Sequence, residues 1–124
     1  MMKHASLVRF AVLVTALALT ATQAAAADAA RGEALFQTCA ACHTEKPDSL
    51  GPSLRGVFGR KSASLEDYRY SNPMKRANLI WDETNLRAYL TDPQAKVKGN
   101  RMPFGGVQDA KDVEDMIAYL KGLK

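Results

Sequence analysis

Apolar residues in the chain after about residue 28 recur every three or four positions, which is the spacing of one face of an α-helix. Strand signals are scarce. The pattern predicts helices over approximately Ala29–Gln37, Asn72–Asn78, Glu83–Thr91 and Ala110–Lys121, with Ser71, Asp82 and Asp109 as capping residues and a loop from Gln94 to Gly106. We therefore predict an all-α domain of about four to five short helices with long connecting loops.

Residues 1–27 have the pattern of a secretory signal peptide. Basic residues come first, the apolar run Phe10–Thr20 follows, and small residues from Thr22 to Ala27 fit an A-x-A cleavage site. The apolar run is shorter than the roughly 20 residues that a membrane span needs. We predict cleavage just before Asp28, with Ala24 and Ala25 as alternative positions, so that residues 28–124 form one exported domain. An uncleaved anchor is the alternative.

The charge of the mature domain is close to balanced. Lys3 and Arg9 of the predicted signal peptide account for two units of the formal net charge of +4, which leaves +2 after cleavage. Such a balance gives no indication of nucleic-acid binding. A domain of this length is marginally stable on a hydrophobic core alone, so a large apolar cofactor would compensate for the small core.

The segment Cys39-Ala40-Ala41-Cys42-His43 carries the most specific chemistry of the chain. Two thiols three positions apart, followed at once by histidine, have the spacing for thioether bonds to haem with the imidazole as an iron ligand. A closed zinc site would need further ligands, and the only other histidine is His4. A thioredoxin-like motif would need a strand-helix-strand context, whereas helix is predicted before Cys39. The motif therefore indicates covalent haem attachment, and a redox disulfide is the alternative.

The second iron ligand is predicted from the residues that remain. Because the mature chain has no histidine besides His43, a methionine thioether is the available soft ligand. Met116 belongs to the apolar stripe of the last helix, and Met74 is a candidate that we interpret mainly as packing. Met102 lies among glycines and a proline that would bring a stiffened backbone close to a flat ring, so we predict Met102 as the ligand.

Three other residues suit polar contacts around a haem. The carbonyl of Pro52, nine residues after His43, could accept the imidazole N–H and fix the orientation of the ring. The Arg60 guanidinium suits a haem propionate, unless its loop is simply a surface loop. Trp81 is either a core residue or a donor to a propionate through its single N–H.

Together and in order, these features resemble class I cytochromes c of the small soluble bacterial and mitochondrial type, cytochrome c2-like. The matching positions run through nearly all of residues 28–124: Gly32, Phe36, Cys39-x-x-Cys42-His43, Gly51-Pro52-x-Leu54-x-Gly56, Gly59-Arg60-Lys61, Tyr70-Ser71, Trp81, Tyr89-Leu90, Pro93, Met102-Pro103-Phe104 and Ala118-Tyr119-Leu120. The resemblance implies the cytochrome c fold, in which short helices and long loops surround one covalently bound haem c and the terminal helices cross.

The resemblance also implies a role for each matching residue. Cys39 and Cys42 would bond the haem, and His43 and Met102 would be the axial ligands of its iron. Pro52 would accept the His43 hydrogen bond, and Arg60, Tyr70 and Trp81 would surround the inner propionate. Tyr89 would lie on the Met102 side of the ring, and Phe104 would cover the exposed edge. At the helix crossing, Gly32 and Phe36 would pack against Tyr119 and Leu120. Met74 departs from the pattern, because the mitochondrial type has a polar Asn there beside a buried water.

The expected function is single-electron transfer rather than catalysis, because an iron with both axial positions filled has no open site for a substrate. We expect a periplasmic monomer, without stable membrane insertion, that carries electrons from a respiratory or photosynthetic complex or a dehydrogenase to a terminal oxidase or reductase. Loop cations either steer acidic redox partners or form an ordinary solvated surface: Lys46, Lys96, Lys98 and Arg101. The alternatives are the haem subunit of a periplasmic dehydrogenase and, if Met102 does not bind, a peroxidase or gas sensor.

Overall fold

Five helices make up the regular structure of the domain. The computed structural model describes residues 25–124, so the predicted signal peptide lies outside the described residues except for its last three. The helices are α1 (Ala29–Ala40), α2 (Asn72–Ala77), α3 (Glu83–Thr91), α4 (Pro93–Lys96) and α5 (Ala110–Gly122). Within residues 25–124 the only β-structure is one antiparallel bridge between Lys61 and Ile80. The predicted all-α class is confirmed.

The predicted capping residues begin the helices. The side chain of Ser71 accepts a hydrogen bond from the Met74 backbone N–H at the start of α2. Asp82 does the same for α3, and Asp109 accepts two backbone N–H groups of α5. Each cap satisfies donors that the first helical turn leaves without a partner. Local polar residues therefore set the starting points of these helices, as the sequence pattern predicts.

Two predicted boundaries were wrong. Helix α1 continues to Ala40 rather than ending near Gln37, so Cys39 lies in its last turn. The segment predicted as a loop from Gln94 contains the four-residue helix α4, which begins at Pro93 and is capped by Asp92. Pro93 cannot extend α3, but its fixed φ angle suits the first position of a new helix. A helix of one turn is too short to have an apolar period, and for this reason the pattern missed it.

Helices α1 and α5 cross in close backbone contact. A Cβ atom placed on Gly32 would lie 2.0 Å from the backbone oxygen of Asp115 and 3.0 Å from the Cβ of Tyr119. Next to this contact the rings of Phe36 and Tyr119 pack with their centroids 5.0 Å apart. The predicted crossing of the terminal helices is confirmed, and glycine permits it because it has no side chain.

The hydrophobic core lies between α5 and the rest of the domain. The stripe predicted on α5 is buried throughout: Val113, Met116, Ile117 and Leu120. Phe36 of α1, Leu86 of α3 and Trp81, two residues before α3, are buried with this stripe. Met116 is therefore a core residue, as the sequence predicts.

We predict that Gly32→Ala destabilises the domain by roughly 1–3 kcal/mol, because the new methyl group would force the two helix backbones apart. Gly122→Ala is the matched control, since a Cβ on this helical glycine would meet no atom within 4 Å. That control should leave stability unchanged or raise it by up to about 1 kcal/mol. Denaturant unfolding of both variants measures the difference, and equal midpoints would contradict the close crossing.

Candidate haem-binding site

A cavity of about 370 Å³ opens between the end of α1, helices α2 and α3, and the loops that follow His43 and precede α5. Its wall is mainly apolar. The structure brings to this wall all ten residues that the sequence predicts for the site: Cys39, Cys42, His43, Pro52, Arg60, Tyr70, Trp81, Tyr89, Met102 and Phe104. Residues that are up to 65 positions apart in the sequence thus share one apolar chamber.

The last turn of α1 and the turn after it present the two thiols. The backbone N–H groups of Cys42 and His43 both donate to the carbonyl of Cys39, at 3.1 and 2.9 Å. This tight turn brings both cysteines and His43 to the cavity wall. Both cysteines are free thiols and partly buried. Burial raises the pKa of the Cys39 thiol, so this group is protonated at neutral pH.

A hydrogen-bonded loop stabilises the turn that holds the thiols. The hydroxyl of Ser49 donates to the Cys42 carbonyl at 2.6 Å and accepts from the Thr44 backbone N–H at 3.0 Å. The N–H of Gly51 also donates to the Cys42 carbonyl, at 2.9 Å. The role of Ser49 could not be predicted from the sequence, because a serine between turn residues carries no signal for a bond seven positions back.

His43 is held in one tautomer by the predicted contact with Pro52. Its Nδ1 lies 2.7 Å from the Pro52 carbonyl, and because a carbonyl only accepts, Nδ1 carries the proton. The lone pair is therefore on Nε2, which is the form that ligates a metal. Burial lowers the pKa of the imidazole, which keeps it neutral and available as a ligand at neutral pH.

The cavity wall contains two of the three methionines in residues 25–124. Met102 and Met74 both line the cavity, whereas Met116 lies in the core away from it. Met74 is a buried residue of α2 with 9% of its surface exposed. Geometry alone therefore leaves both Met74 and Met102 as candidates for the thioether ligand.

Asn100 holds the backbone of Met102 in place. Its amide oxygen accepts from the Met102 N–H at 2.8 Å, and its amide nitrogen donates to the carbonyls of Pro93 and Val97 at 3.0 and 2.9 Å. The side chain is buried, so each of these bonds replaces a bond to water. Asn100 thereby ties the Met102 loop to α4. This role of Asn100 could not be predicted from the sequence, since an asparagine after a glycine is typical of any turn.

Arg60 and the tyrosines supply the polar groups of the wall. The Arg60 guanidinium donates to the carbonyls of Ser53 and Arg55, at 2.8 and 2.9 Å, and so is fixed beside the cavity. Burial raises the pKa of Tyr70, and it raises the pKa of Tyr89 to about 12. Both phenols therefore keep their protons at neutral pH and can act as donors. The Tyr89 ring packs on Trp81 with centroids 5.0 Å apart.

The four predicted loop cations do not all border the cavity. Arg101 lines it, and its guanidinium donates to the Arg69 carbonyl, while Lys46, Lys96 and Lys98 are not part of the wall. Leu50 also lines the cavity and is 80% exposed, so an apolar side chain stands at the opening. The wall thus carries the cations Arg60, Lys61 and Arg101, and Leu50 adds an exposed apolar side chain.

These residues fit a c-type haem. The wall is apolar as a porphyrin requires, two free thiols lie in the attachment spacing, and an imidazole with a free Nε2 shares the chamber with methionine thioethers. Gly51 adds a further fit, since a Cβ there would lie 2.6 Å from Cε1 and Nδ1 of His43. An all-helical domain with such a chamber places this chain in the class of c-type haem proteins.

The chain belongs to the cytochrome c family, whose profile matches residues 29–124. It is 44% identical to cytochrome c2 of Blastochloris viridis over 108 residues, which cover 85% of each chain. It is also 44% identical to cytochrome c-554 of Methylosinus trichosporium over 124 residues, covering 96% of this chain and 92% of the relative. The resemblance to a cytochrome c2-like protein is therefore confirmed.

A solved structure supports the same assignment. Cytochrome cH from Methylobacterium extorquens superposes with a TM-score of 0.73 and 44% identity, covering 77% of this chain and 98% of that chain. The fold is thus the cytochrome c fold. The family carries covalently bound haem c with iron, and Cys39 and Cys42 fit its C-x-x-C-H motif. The chain is accordingly a haem electron carrier, not an enzyme, that exchanges electrons with redox partners.

We predict that Gly51→Ala displaces the His43 ring, because its methyl group would overlap the imidazole. The holoprotein should lose roughly 1–3 kcal/mol of stability, and the ring proton resonances of His43 should shift. Gly105→Ala is the control, since this glycine also lies outside the helices and a Cβ there would meet nothing within 4 Å. Unchanged His43 resonances in Gly51→Ala would contradict the contact.

We also predict that Asn100→Ala costs roughly 1–3 kcal/mol, because a buried bridge of three hydrogen bonds is lost. Hydrogen exchange at the Met102 amide should accelerate together with the loss of stability. Asn85→Ala removes an exposed amide that makes one bond, to the Ile80 carbonyl, and should cost about 1 kcal/mol or less. Equal effects of the two substitutions on the Met102 amide would reject the bridging role of Asn100.

Proposed function

We propose that this cytochrome is a periplasmic single-electron carrier that binds haem through Cys39 and Cys42, with His43 and Met102 as the axial ligands of the iron. The observation that carries the proposal is the apolar chamber that contains both thiols, the neutral His43 imidazole and the Met102 thioether. When bound, the haem iron supplies a one-electron redox couple. The protein residues hold that couple and shield it from water.

The ligand on the His43 side is oriented by hydrogen bonding. The bond from Nδ1 to the Pro52 carbonyl holds the ring and raises the basicity of Nε2. The attachment turn fixes the position of His43 relative to both thiols through the Cys39 carbonyl. A ligand held in this way changes position little between the two oxidation states, and a small rearrangement is what fast electron transfer requires.

Met102 rather than Met74 is our choice for the opposite ligand. The backbone of Met102 is held by the buried Asn100 amide, in a loop that belongs to no helix. Met74 is part of the buried cluster with Leu86 and Val97, and this packing accounts for it without a metal contact. A thioether is a soft ligand that favours ferrous iron and raises the reduction potential.

The remaining residues of the wall complete the surroundings of the cofactor. Arg60, Tyr70 and Trp81 would act as donors toward the inner propionate, Tyr89 would lie on the Met102 side, and Phe104 would cover the exposed edge. The guanidinium of Arg60 has five donors and uses two N–H groups on backbone carbonyls, so others remain for a carboxylate. An apolar wall excludes water and limits solvent reorganisation during electron transfer.

Filled axial positions favour a carrier over a peroxidase or gas sensor, because neither face of the iron would be open to a ligand. The donor and acceptor would be complexes of a respiratory or photosynthetic chain, or a dehydrogenase and an oxidase or reductase. At the opening, Arg101 would attract acidic partners and Leu50 would give an apolar contact. In residues 25–124 the structure contains no helix long and apolar enough to cross a membrane.

Export through the N-terminal segment places the carrier in the periplasm. The support is the sequence of basic, apolar and small residues in positions 1–27, followed by the domain that begins with the Asp28 cap of α1. We infer that the mature protein comprises residues 28–124 and functions as a monomer.

We predict that the oxidised protein shows the weak far-red band of sulfur-to-iron charge transfer. Met102→Ala should abolish the band, because it removes the thioether ligand, and Met74→Ala should preserve it. Absorption spectra of the three oxidised holoproteins test this. Loss of the band in Met74→Ala alone, or rapid carbon monoxide binding by the reduced wild-type protein, would overturn the proposed ligation.

A further inference from the structure

A buried carboxylate lies directly beneath the first residue of the predicted mature chain. The Asp115 side chain of α5 has no exposed surface. Its Oδ1 accepts from the backbone nitrogen of Asp28 at 2.7 Å, and its Oδ2 accepts from the Arg31 guanidinium at 2.7 Å. The Lys111 ammonium also contacts Oδ1. This contact joins two points of the chain that are 87 positions apart.

In the unprocessed chain, the cluster around this contact has more negative than positive charges. Among the described residues, the cluster contains the carboxylates of Asp28, Asp112 and Asp115 and the cations of Arg31 and Lys111, and Arg31 also pairs with Asp112 at 2.5 Å. One negative charge is in excess. A buried carboxylate is costly unless cations and hydrogen bonds compensate it. One additional positive charge at the Asp28 nitrogen would balance the cluster.

We propose that processing cleaves the chain between Ala27 and Asp28 and that the new α-ammonium of Asp28 forms an ion pair with Asp115. In this step a signal peptidase hydrolyses the Ala27–Asp28 peptide bond. Water supplies the oxygen of the new Ala27 carboxylate, and the Asp28 nitrogen is released as an amine that takes a proton. The inference rests on the proposed export of the chain and is independent of haem ligation.

A free ammonium at the start of α1 needs a carboxylate nearby to compensate for its repulsion by the helix dipole. Asp28 is the capping residue of α1, and the positive end of the helix dipole disfavours a free ammonium there. The Asp115 carboxylate offsets this repulsion at a distance of 2.7 Å from the nitrogen. Cleavage one residue earlier would place the ammonium on Ala27, which is exposed, and would leave only a neutral amide on Asp115. A charged donor makes the stronger hydrogen bond to a carboxylate.

Because of this ion pair, the stability of the folded domain should fall as the pH rises through the pKa of the α-amine. Asp115 of α5 contacts the Asp28 nitrogen directly. The other charged groups of this cluster are the Asp28 carboxylate, Arg31 of α1, and Lys111 and Asp112 of α5. An α-amino group in an unfolded chain has a pKa of roughly 7.7–8.0. Pairing with Asp115 raises it in the folded protein, so the stabilisation is complete below that range and is lost as the pH rises through the raised value.

The first experiment determines the N-terminal residue of the exported holoprotein by mass spectrometry. The expected N-terminal peptide begins at Asp28. A mature chain that begins at any other residue would overturn the proposal. The same spectrum gives the mass of bound haem separately, so a failure of haem attachment would be distinguished from a failure of the processing site.

The second experiment measures how fast the α-amine of the mature holoprotein is acetylated at neutral pH, with the lysines as internal references. Because an ammonium does not react, raising the pKa by one unit slows the reaction about tenfold. We expect Asp115→Asn to restore fast labelling by at least about tenfold. Equal α-amine rates in the two proteins would overturn the ion pair.

A second variant keeps the test decisive if Asp115→Asn does not fold. A chain with one extra alanine before Asp28 retains Asp115 and the hydrogen bond from the Asp28 N–H, but its amine is displaced from the carboxylate. Its α-amine should label at least about tenfold faster than that of the mature chain. Slow labelling of the extended chain would contradict the proposal.

Discussion

The close crossing of α1 and α5 at Gly32 is the contact on which the rest of the structure depends. Because the Gly32 backbone lies against the Asp115 carbonyl, α1 can approach α5 closely enough for Phe36 to pack on Tyr119. This packing fixes the direction of α1, and the last turn of α1 carries Cys39 to the wall of the chamber. A helix contact near the start of α1 thus sets the position of Cys39 in its last turn.

The chamber itself is held largely by loops, so its precision comes from individual hydrogen bonds. The Pro52 carbonyl orients His43, the Ser49 hydroxyl braces the Cys42 turn, and the Asn100 amide ties Met102 to α4. Each bond involves a partly or fully buried group, which would be costly to leave without a partner. A small domain with few helices can in this way hold the side chains of a chamber at fixed positions without a large core.

Sequence patterns predicted the features that depend on neighbouring residues. The caps at Ser71, Asp82 and Asp109 and the stripe of α5 are confirmed, because a cap or an amphipathic face is set within a few positions. The patterns failed at α4 and at the end of α1, where one turn of helix gives no period to detect. They also missed Asn100 and Ser49, whose partners are brought close by the fold rather than by regular spacing.

The sequence by itself determined the chemistry of this protein: the C-x-x-C-H motif, the absence of a second histidine from residues 28–124 and the small set of methionines all follow from residue identity. Only the tertiary structure decided that Met74 shares the chamber wall with Met102, that Gly51 lies against the His43 ring, and that Asp115 lies beneath Asp28. The physical reason is that local preferences act over a few residues. Contacts between distant residues depend on how the helices pack and the loops close, which no single segment encodes.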